Sequence, residues 1–264
     1  MTDPVLPKSY KRAFPFPICT TSYIYPAAIL PNVQRLAPFF DEIELLWFES
    51  RHLPNAEEIR AIARVAAETE LTLNLHLPLD IALGDAQRLR RSRSVETIKT
   101  VFERAEPLSL SSACLHLNLD PSLGDPGARR RWTDRCFESL EAIQQWRGNL
   151  TGIVVENLWY PFEWIQNLIE TFDLSVCLDI GHLFRYGFDA ERIHAKFKDR
   201  IAIMYLHGVH GEKDHLGLDR MDPRYLKRAL GLIDGFTGVV SVEVFAFQPL
   251  AASMAVLERW PFTP

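Results

Sequence analysis

The segment Cys177-Leu178-Asp179-Ile180-Gly181-His182 reads as a buried strand running straight into Asp-x-x-His. An Asp and a His three residues apart at a strand end can turn toward one point, where a cation would hold them together. Such a pair arises often by chance. It gains weight here because other apolar strands end in the same kind of residue: His76 in LTLNLHLP, His116 in SACLHLNL, Glu156 in GIVVEN, His207 in IAIMYLH and Glu243 in VVSVEVF. Side chains alternate along a strand. Counting back by two therefore puts Asn74/His76, Cys114/His116, Val154/Glu156, Cys177/Asp179, Tyr205/His207 and Ser241/Glu243 on one face. The opposite face carries Leu73, Leu75, Leu115, Val155, Leu178, Met204, Leu206, Val240 and Val242, which suits contact with helices.

Glu156, Asp179 and Glu243 would then share one partly dehydrated space. Two such charges about 4 Å apart repel by roughly 4 kcal/mol at an effective dielectric near 20. Unpaired, they would raise their pKa values or unfold the site. No Lys or Arg ends a strand on that face, apart from Lys213 in a nearby loop. Four imidazoles (His76, His116, His182, His207) surround the acids instead. Divalent Zn, Mn or Fe accounts for the mixture, since carboxylate oxygens and neutral imidazole nitrogens both ligate these metals. Ca or Mg alone would not call for so many nitrogens. The loop after the seventh strand, Gly208 to Gly217, adds Asp214 and His215. Nine candidate ligands result: His76, His116, Glu156, Asp179, His182, His207, Asp214, His215 and Glu243. That number exceeds what one ion uses and points to two or three. Clustered metals suit hydrolysis at phosphorus, one ion acidifying a bound water while others hold the phosphoryl and leaving oxygens.

Glu156 and Glu243 are also candidates for proton transfer. Glu49, read as ending the second strand on the interior face, is a candidate base, ligand or substrate contact, and equally a solvated rim carboxylate. Thr20, Thr21, Ser22 and Tyr23 follow the first strand and either hydrogen-bond substrate or form a turn. Asn118, Asn157 and Asp80 lie just past ligand positions, where they would support ligands or touch substrate. Lys213 is the candidate cationic contact. His194, in a polar helix, reads as surface; His52 and His210 are rim residues with weaker claims.

Eight strand-then-helix units place these residues. The strands are Phe16–Ser22, Glu42–Glu49, Leu71–Pro78, Ser112–Leu119, Gly152–Asn157, Leu174–Asp179, Ile201–His207 and Val239–Phe245. The helices are Pro31–Phe40, Ala56–Glu70, Asp85–Glu106, Ala128–Arg147 (after a Gly-Asp-Pro-Gly turn), Phe162–Phe172, Asp189–Arg200, Asp222–Asp234 and Leu250–Trp260. This alternation, without a composition break, predicts a single α/β domain over residues 1–264. It is a (β/α)8 TIM barrel with an N-terminal arm over 1–15 and its chemistry at the C-terminal mouth. A doubly wound open sheet would call for a Gly-rich phosphate turn, and the sequence has none.

The 264 residues are nearly half apolar, enough for a large core, and the formal charge of −5 argues against bulk electrostatic coating of nucleic acid or membrane. The basic runs Arg88–Arg93 and Arg129–Arg131 read as solvated helix faces. There is no signal-peptide pattern and no apolar run of the ~20 residues a membrane span needs. Cys19, Cys114, Cys136 and Cys177 form no C-x-x-C pair and read as reduced thiols of a cytoplasmic protein.

The set Glu156-Asn157, Asp179-x-x-His182, His207 and Glu243 resembles the xylose-isomerase-like barrel superfamily, which includes sugar epimerases and isomerases and the endonuclease IV type of apurinic endonuclease. Within it, Thr20-Thr21-Ser22-Tyr23-Ile24-Tyr25-Pro26, Ile29-Leu30-Pro31-Asn32-Val33, Glu42-Ile43-Glu44-Leu45 and His76-Leu77-Pro78-Leu79-Asp80 resemble the cobamide remodelling phosphodiesterases. That resemblance implies hydrolysis of a phosphoester in the nucleotide loop of a cobamide, the vitamin B12 class, so that another lower base can be attached. The partner implied is thus a small-molecule corrinoid substrate. The alternatives are a single-ion sugar isomerase or epimerase using Glu156, Asp179, His207 and Glu243, an apurinic endonuclease, and a corrinoid- or metal-binding module without turnover.

Overall fold

In the computed structural model, which describes residues 3–119 and 125–262, eight parallel strands close into a barrel. They are β1 (Ile18–Thr21), β2 (Glu42–Leu46), β3 (Thr72–His76), β4 (Ala113–Leu115), β5 (Ile153–Glu156), β6 (Ser175–Asp179), β7 (Ile201–Leu206) and β10 (Val239–Val242); β10 pairs with β7 and closes on β1. The remaining strands, β8 (Gly208–His210) and β9 (Lys213–Leu216), form an antiparallel hairpin after β7. Nine α-helices surround the barrel among the described residues: α1 (Ile29–Leu36), α2 (Ala56–Thr69), α3 (Arg88–Ala105), α4 (Pro126–Arg147), α5 (Gln166–Thr171), α6 (Ile180–Arg185), α7 (Ala190–Phe197), α8 (Pro223–Ile233) and α9 (Phe247–Leu257). None is long and apolar enough to cross a membrane.

Alternation along the strands separates two apolar layers. Leu73, Leu75, Leu115, Val155, Leu178, Met204, Leu206, Val240 and Val242 belong to the large core shared with the helices, whereas Cys114, Val154, Cys177, Ile203 and Tyr205 pack as a smaller cluster inside the barrel. All four cysteines are buried and free. Local chemistry sets the helix starts. The Asn55 side chain accepts from the Glu57 and Glu58 amides while Glu58 reaches back to the Asn55 amide, a capping box that opens α2. Asp125 caps α4, with Pro126 in its first turn, where no amide hydrogen is needed. Gly124, the first residue of the expected turn, lies outside the described residues, as do Met1 and Thr2 of the arm. Residues 3–16 pack along α1 rather than hanging free: Leu6 and Tyr10 are buried, the Tyr10 amide donates to the Phe39 carbonyl, and Phe14 stacks on Phe16.

Three features differ from expectation. The ladders are shorter than the apolar runs: β2 stops at Leu46, β4 at Leu115 and β10 at Val242, with single backbone bonds such as Trp47 to His76 and Glu243 to Leu206 continuing beyond them. A short helix, α6, starts directly at Ile180, since Asp179 caps it by accepting from the His182 amide at 2.7 Å. The segment after β7 is a hairpin, turned at Gly211, whose φ of 59° favours glycine.

The loop after β1 is fixed by one side chain. Asn32 is fully buried; its Oδ1 accepts from the Ile24 and Tyr25 amides (3.1 and 2.8 Å), and its Nδ2 lies 3.0–3.1 Å from the Tyr25, Ala27 and Ala28 carbonyls. Asn32→Ala would leave those buried groups unpaired. The expected loss is about 2 to 4 kcal/mol, read as a lower urea midpoint at unchanged slope.

Candidate metal centre

The centre begins with His76 at the end of β3. Its Nδ1 lies 2.9 Å from the Leu77 carbonyl, which fixes the ring and turns Nε2 toward the mouth. That Nε2 is 3.2 Å from Nε2 of His116, just past β4, and His116 Nε2 is 2.7 Å from Oε2 of Glu156 at the end of β5. The other Glu156 oxygen is 3.1 Å from His182 Nδ1, which is also 3.0 Å from Asp179 Oδ2. Asp179 Oδ1 then meets His207 Nε2 at 3.1 Å. His207 Nδ1 accepts the amide of His215 on β9 (3.0 Å), and the two rings lie 4.3 Å apart. His215 Nδ1 donates to the Glu243 carbonyl at 3.2 Å and stands 3.5 Å from Glu243 Oε2, a buried oxygen with no hydrogen bond among the described residues.

Four overlapping groups of ligand atoms result, each within 4.8 Å: His76, His116, Glu156; Glu156, Asp179, His182; Asp179, His207, Glu243; and His182, His207, His215. Two imidazole nitrogens 3.2 Å apart beside a carboxylate oxygen need a proton or a cation between them. This donor set fits borderline transition metals, and the overlap of the groups fits more than one ion.

The polypeptide builds this centre with few parts. Asn157 follows Glu156 and is fully buried; its Oδ1 accepts the Asp179 amide (2.7 Å) and its Nδ2 donates to the Asp179 carbonyl (2.9 Å), locking β6 to β5 where the acids meet. Gly181 lets α6 approach: a Cβ there would fall inside van der Waals contact of the His207 ring. Phe48 packs edge-on against His76 (5.6 Å between centroids) and Phe245, and Phe245 lies 4.8 Å from His215, giving one side of the mouth an aromatic wall.

Electrostatics follow from burial and pairing. Burial alone would raise the Glu156 carboxyl, but attraction to His116 and hydrogen bonds from His116, His182 and His76 hold it well below the ordinary range. Asp179 is likewise lowered, burial being outweighed by His182 and His207. His182 is raised to about 9, because Asp179 and Glu156 outweigh its desolvation. His215 is lowered to about 4 by burial and by the neighbouring His207. Glu243 is pushed well up by burial, then by Glu156 and Asp179.

Eight of the nine expected ligands lie in these groups. The ninth, Asp214, does not: its Oδ2 is 4.0 Å from His182 Nε2 and is held in an ion pair by Arg185. Glu49 is not an interior strand end. β2 stops three residues earlier, and Glu49 sits on the rim, its side chain 49% exposed and bound to Arg51 and His52. Ser22 is buried, its hydroxyl accepting the Leu46 amide, while Tyr23 is 55% exposed. Asn118 is turned away from the ligands, donating to the Leu79 and Ile81 carbonyls, and Lys213 is exposed on β9. Asp80 accepts from Ser50.

Sequence reasoning missed Glu44 and Arg185. Glu44 is fully buried inside the barrel; it accepts the Tyr205 hydroxyl with Oε1, and its Oε2 has no hydrogen-bond partner among the described residues. Taking Glu49 as the strand end set the wrong parity for β2. The alternation of Glu42 and Glu44 with Ile43 and Leu45 was the available signal.

A parallel barrel with ligand groups at its C-terminal mouth is an architecture shared by enzymes of many activities. Comparison narrows it. Residues 36–260 match the xylose isomerase-like TIM barrel family (AP endonuclease 2), and the chain belongs to that family. It is 27% identical over 204 residues, 69% of each chain, to a probable endonuclease 4 of Chlorobium phaeobacteroides (strain BS1). Among solved structures it is similar to a D-tagatose 3-epimerase-like protein (TM-score 0.76, 18% identity, 92% of this chain and 96% of that one). It is also similar to endonuclease IV of Thermus thermophilus (TM-score 0.68, 17% identity, 92% and 100%).

Two outcomes follow from this geometry. Gly181→Ala should fold but displace His207, lowering bound metal at limiting concentration by ~10-fold or more, measured by plasma mass spectrometry. Burial raises Glu44 to about 7, offset in part by His76 and Tyr205. A carboxyl raised on folding favours the folded state below its unfolded pKa, and that advantage is lost as pH rises through the folded value. Glu44→Gln, which keeps an acceptor for Tyr205, should therefore raise Tm at pH 8 relative to wild type and leave it nearly unchanged at pH 4.

Proposed function

We propose that the protein is a metal-dependent phosphodiesterase that hydrolyses the phosphoester in the nucleotide loop of a cobamide, for replacement of its lower ligand. The observation that carries this reading is the His76–His116–Glu156 group. A single-ion isomerase or epimerase has work for Glu156, Asp179, His207 and Glu243, but none for two further imidazoles 3.2 Å apart on the Glu156 side. Relatives called endonucleases, a name for cleavage of phosphodiester bonds, support the same bond type. The small-molecule substrate rests on the resemblance of the N-terminal blocks. The net charge of −5 disfavours duplex DNA, and the wall of Phe48 and Phe245 offers an apolar face to one side of a macrocycle.

His76 and His116 with Glu156 would hold one ion. Glu156, Asp179, His207 and Glu243 would hold a central one, and His182 with His215 would complete a further site. Two or three ions of Zn, Mn or Fe, when bound, supply an acidified water and Lewis acidity at the phosphoryl oxygens. The chain's own residues do the rest. Asn157 fixes the height of Asp179, and Glu156 stands in two of the ligand groups. Phe48 and Phe245 exclude water from one flank.

Adenosylcobalamin incubated with the protein loaded with Mn, Fe or Zn should be cleaved to a corrinoid fragment and the lower-ligand nucleoside, resolved by mass spectrometry, and chelation should abolish cleavage. An intact cobamide with every metal, bound ions having been verified, would falsify the proposal. His116→Ala should lose at least ~100-fold in the rate of cobamide cleavage; one ion per chain with turnover of a sugar that His116→Ala retains would select the isomerase reading.

A further inference from the structure

We infer that Arg185 is the residue of the centre that grips the substrate's phosphate, and that Asp214 is its anchor rather than a metal ligand. The inference rests on the phosphoester reading above and assigns that site a residue the ligand pattern did not contain. Arg185 lies at the end of α6, three residues after His182. Its Nη1 is paired with Asp214 Oδ2, the same oxygen that stands 4.0 Å from His182 Nε2, so the guanidinium sits one carboxylate oxygen away from a ligand of the centre. Its plane is set from another direction by Tyr186, whose ring centroid is 5.3 Å from the guanidinium carbon.

The guanidinium is placed but not saturated. Arginine has five N–H donors in a rigid fork. Here Asp214 engages Nη1, while Nε is buried with no hydrogen-bond partner among the described residues. A buried donor left open costs stability unless something arrives to accept from it. The acceptor must be anionic and offer two oxygens to use the fork, which a phosphoester does. The other cations near the mouth are less suited: Arg51 is 74% exposed and tied to Glu49, and Lys213 is exposed on the hairpin. Asp214, meanwhile, falls outside every ligand group found among the described residues.

Inorganic phosphate titrated into the metal-loaded protein by calorimetry tests this without turnover. Arg185→Gln and Arg185→Ala should weaken phosphate binding ~10- to 100-fold with the metal count per chain unchanged, and Arg185→Lys should restore part of it. Asp214→Ala should also keep the full metal count; combined with Arg185→Ala it should add little to the loss. With adenosylcobalamin the Arg185 variants should raise KM more than they lower kcat. Wild-type phosphate affinity in folded, metal-loaded Arg185→Gln would overturn the assignment of Arg185, and loss of one ion in Asp214→Ala would overturn that of Asp214. Should wild type leave the cobamide intact while phosphate binding still depends on Arg185, the substrate in the proposed function fails and this assignment stands.

Discussion

Imidazoles interleaved with carboxylates make the mouth of this barrel tenable. Glu156, Asp179 and Glu243 occupy a volume from which water is largely excluded, and mutual repulsion there would neutralise or separate them. Glu156 escapes because three histidines face its two oxygens, and Asp179 because two do. Glu243, with the weakest pairing, is the acid whose proton affinity climbs. Below them Glu42 and Glu44 repeat the problem inside the barrel with neutral donors in place of imidazoles, fully for Glu42 and only at one oxygen for Glu44. Asn74, Thr72 and Ser111 serve Glu42, and Tyr205 serves Glu44.

The fold contributes a common height. In a closed parallel sheet each strand delivers its last interior residue to the same rim, and the register sets Glu156 beside Cys177, Asp179 beside Tyr205 and His76 beside Cys114. Ligands two residues past these partners, such as His116 and His207, then rise to the next level. The short ladders are part of this geometry: a residue that leaves the sheet at the mouth keeps its inward direction and gains freedom to tilt. Asp179 carries both duties, since one of its oxygens caps α6 and both approach His207.

Much of this could be read from the chain itself. Period-two alternation separated the two faces of β3, β5, β6 and β7, and the recurrence of acid or imidazole at their ends marked the mouth. What escaped was decided by tertiary contacts. Taking Glu49 as an inward strand end puts the odd-numbered residues of β2 inside, whereas the structure puts the even ones there, with Glu44 paired beside Asn74 and buried in the barrel. Arg185 was invisible because α6 follows Asp179 without a loop, so its place is set by a cap rather than by hydrophobic periodicity. Asp214 and His215 are adjacent in sequence and were read together; the strand pleat of β9 and the positive φ of His215 send them to different partners.

That positive φ bears on more than side-chain direction. His215 holds a left-handed backbone at φ 50° without being glycine, a conformation that costs roughly 1 kcal/mol. It does so on a two-stranded hairpin outside the barrel ladder, attached by Gly208. An ion seated between His182, His207 and His215 would tie this appendage to the rigid scaffold and offset the strain. The hairpin would then be held to the barrel by coordination as well as by the hydrogen bond from the His215 amide to His207.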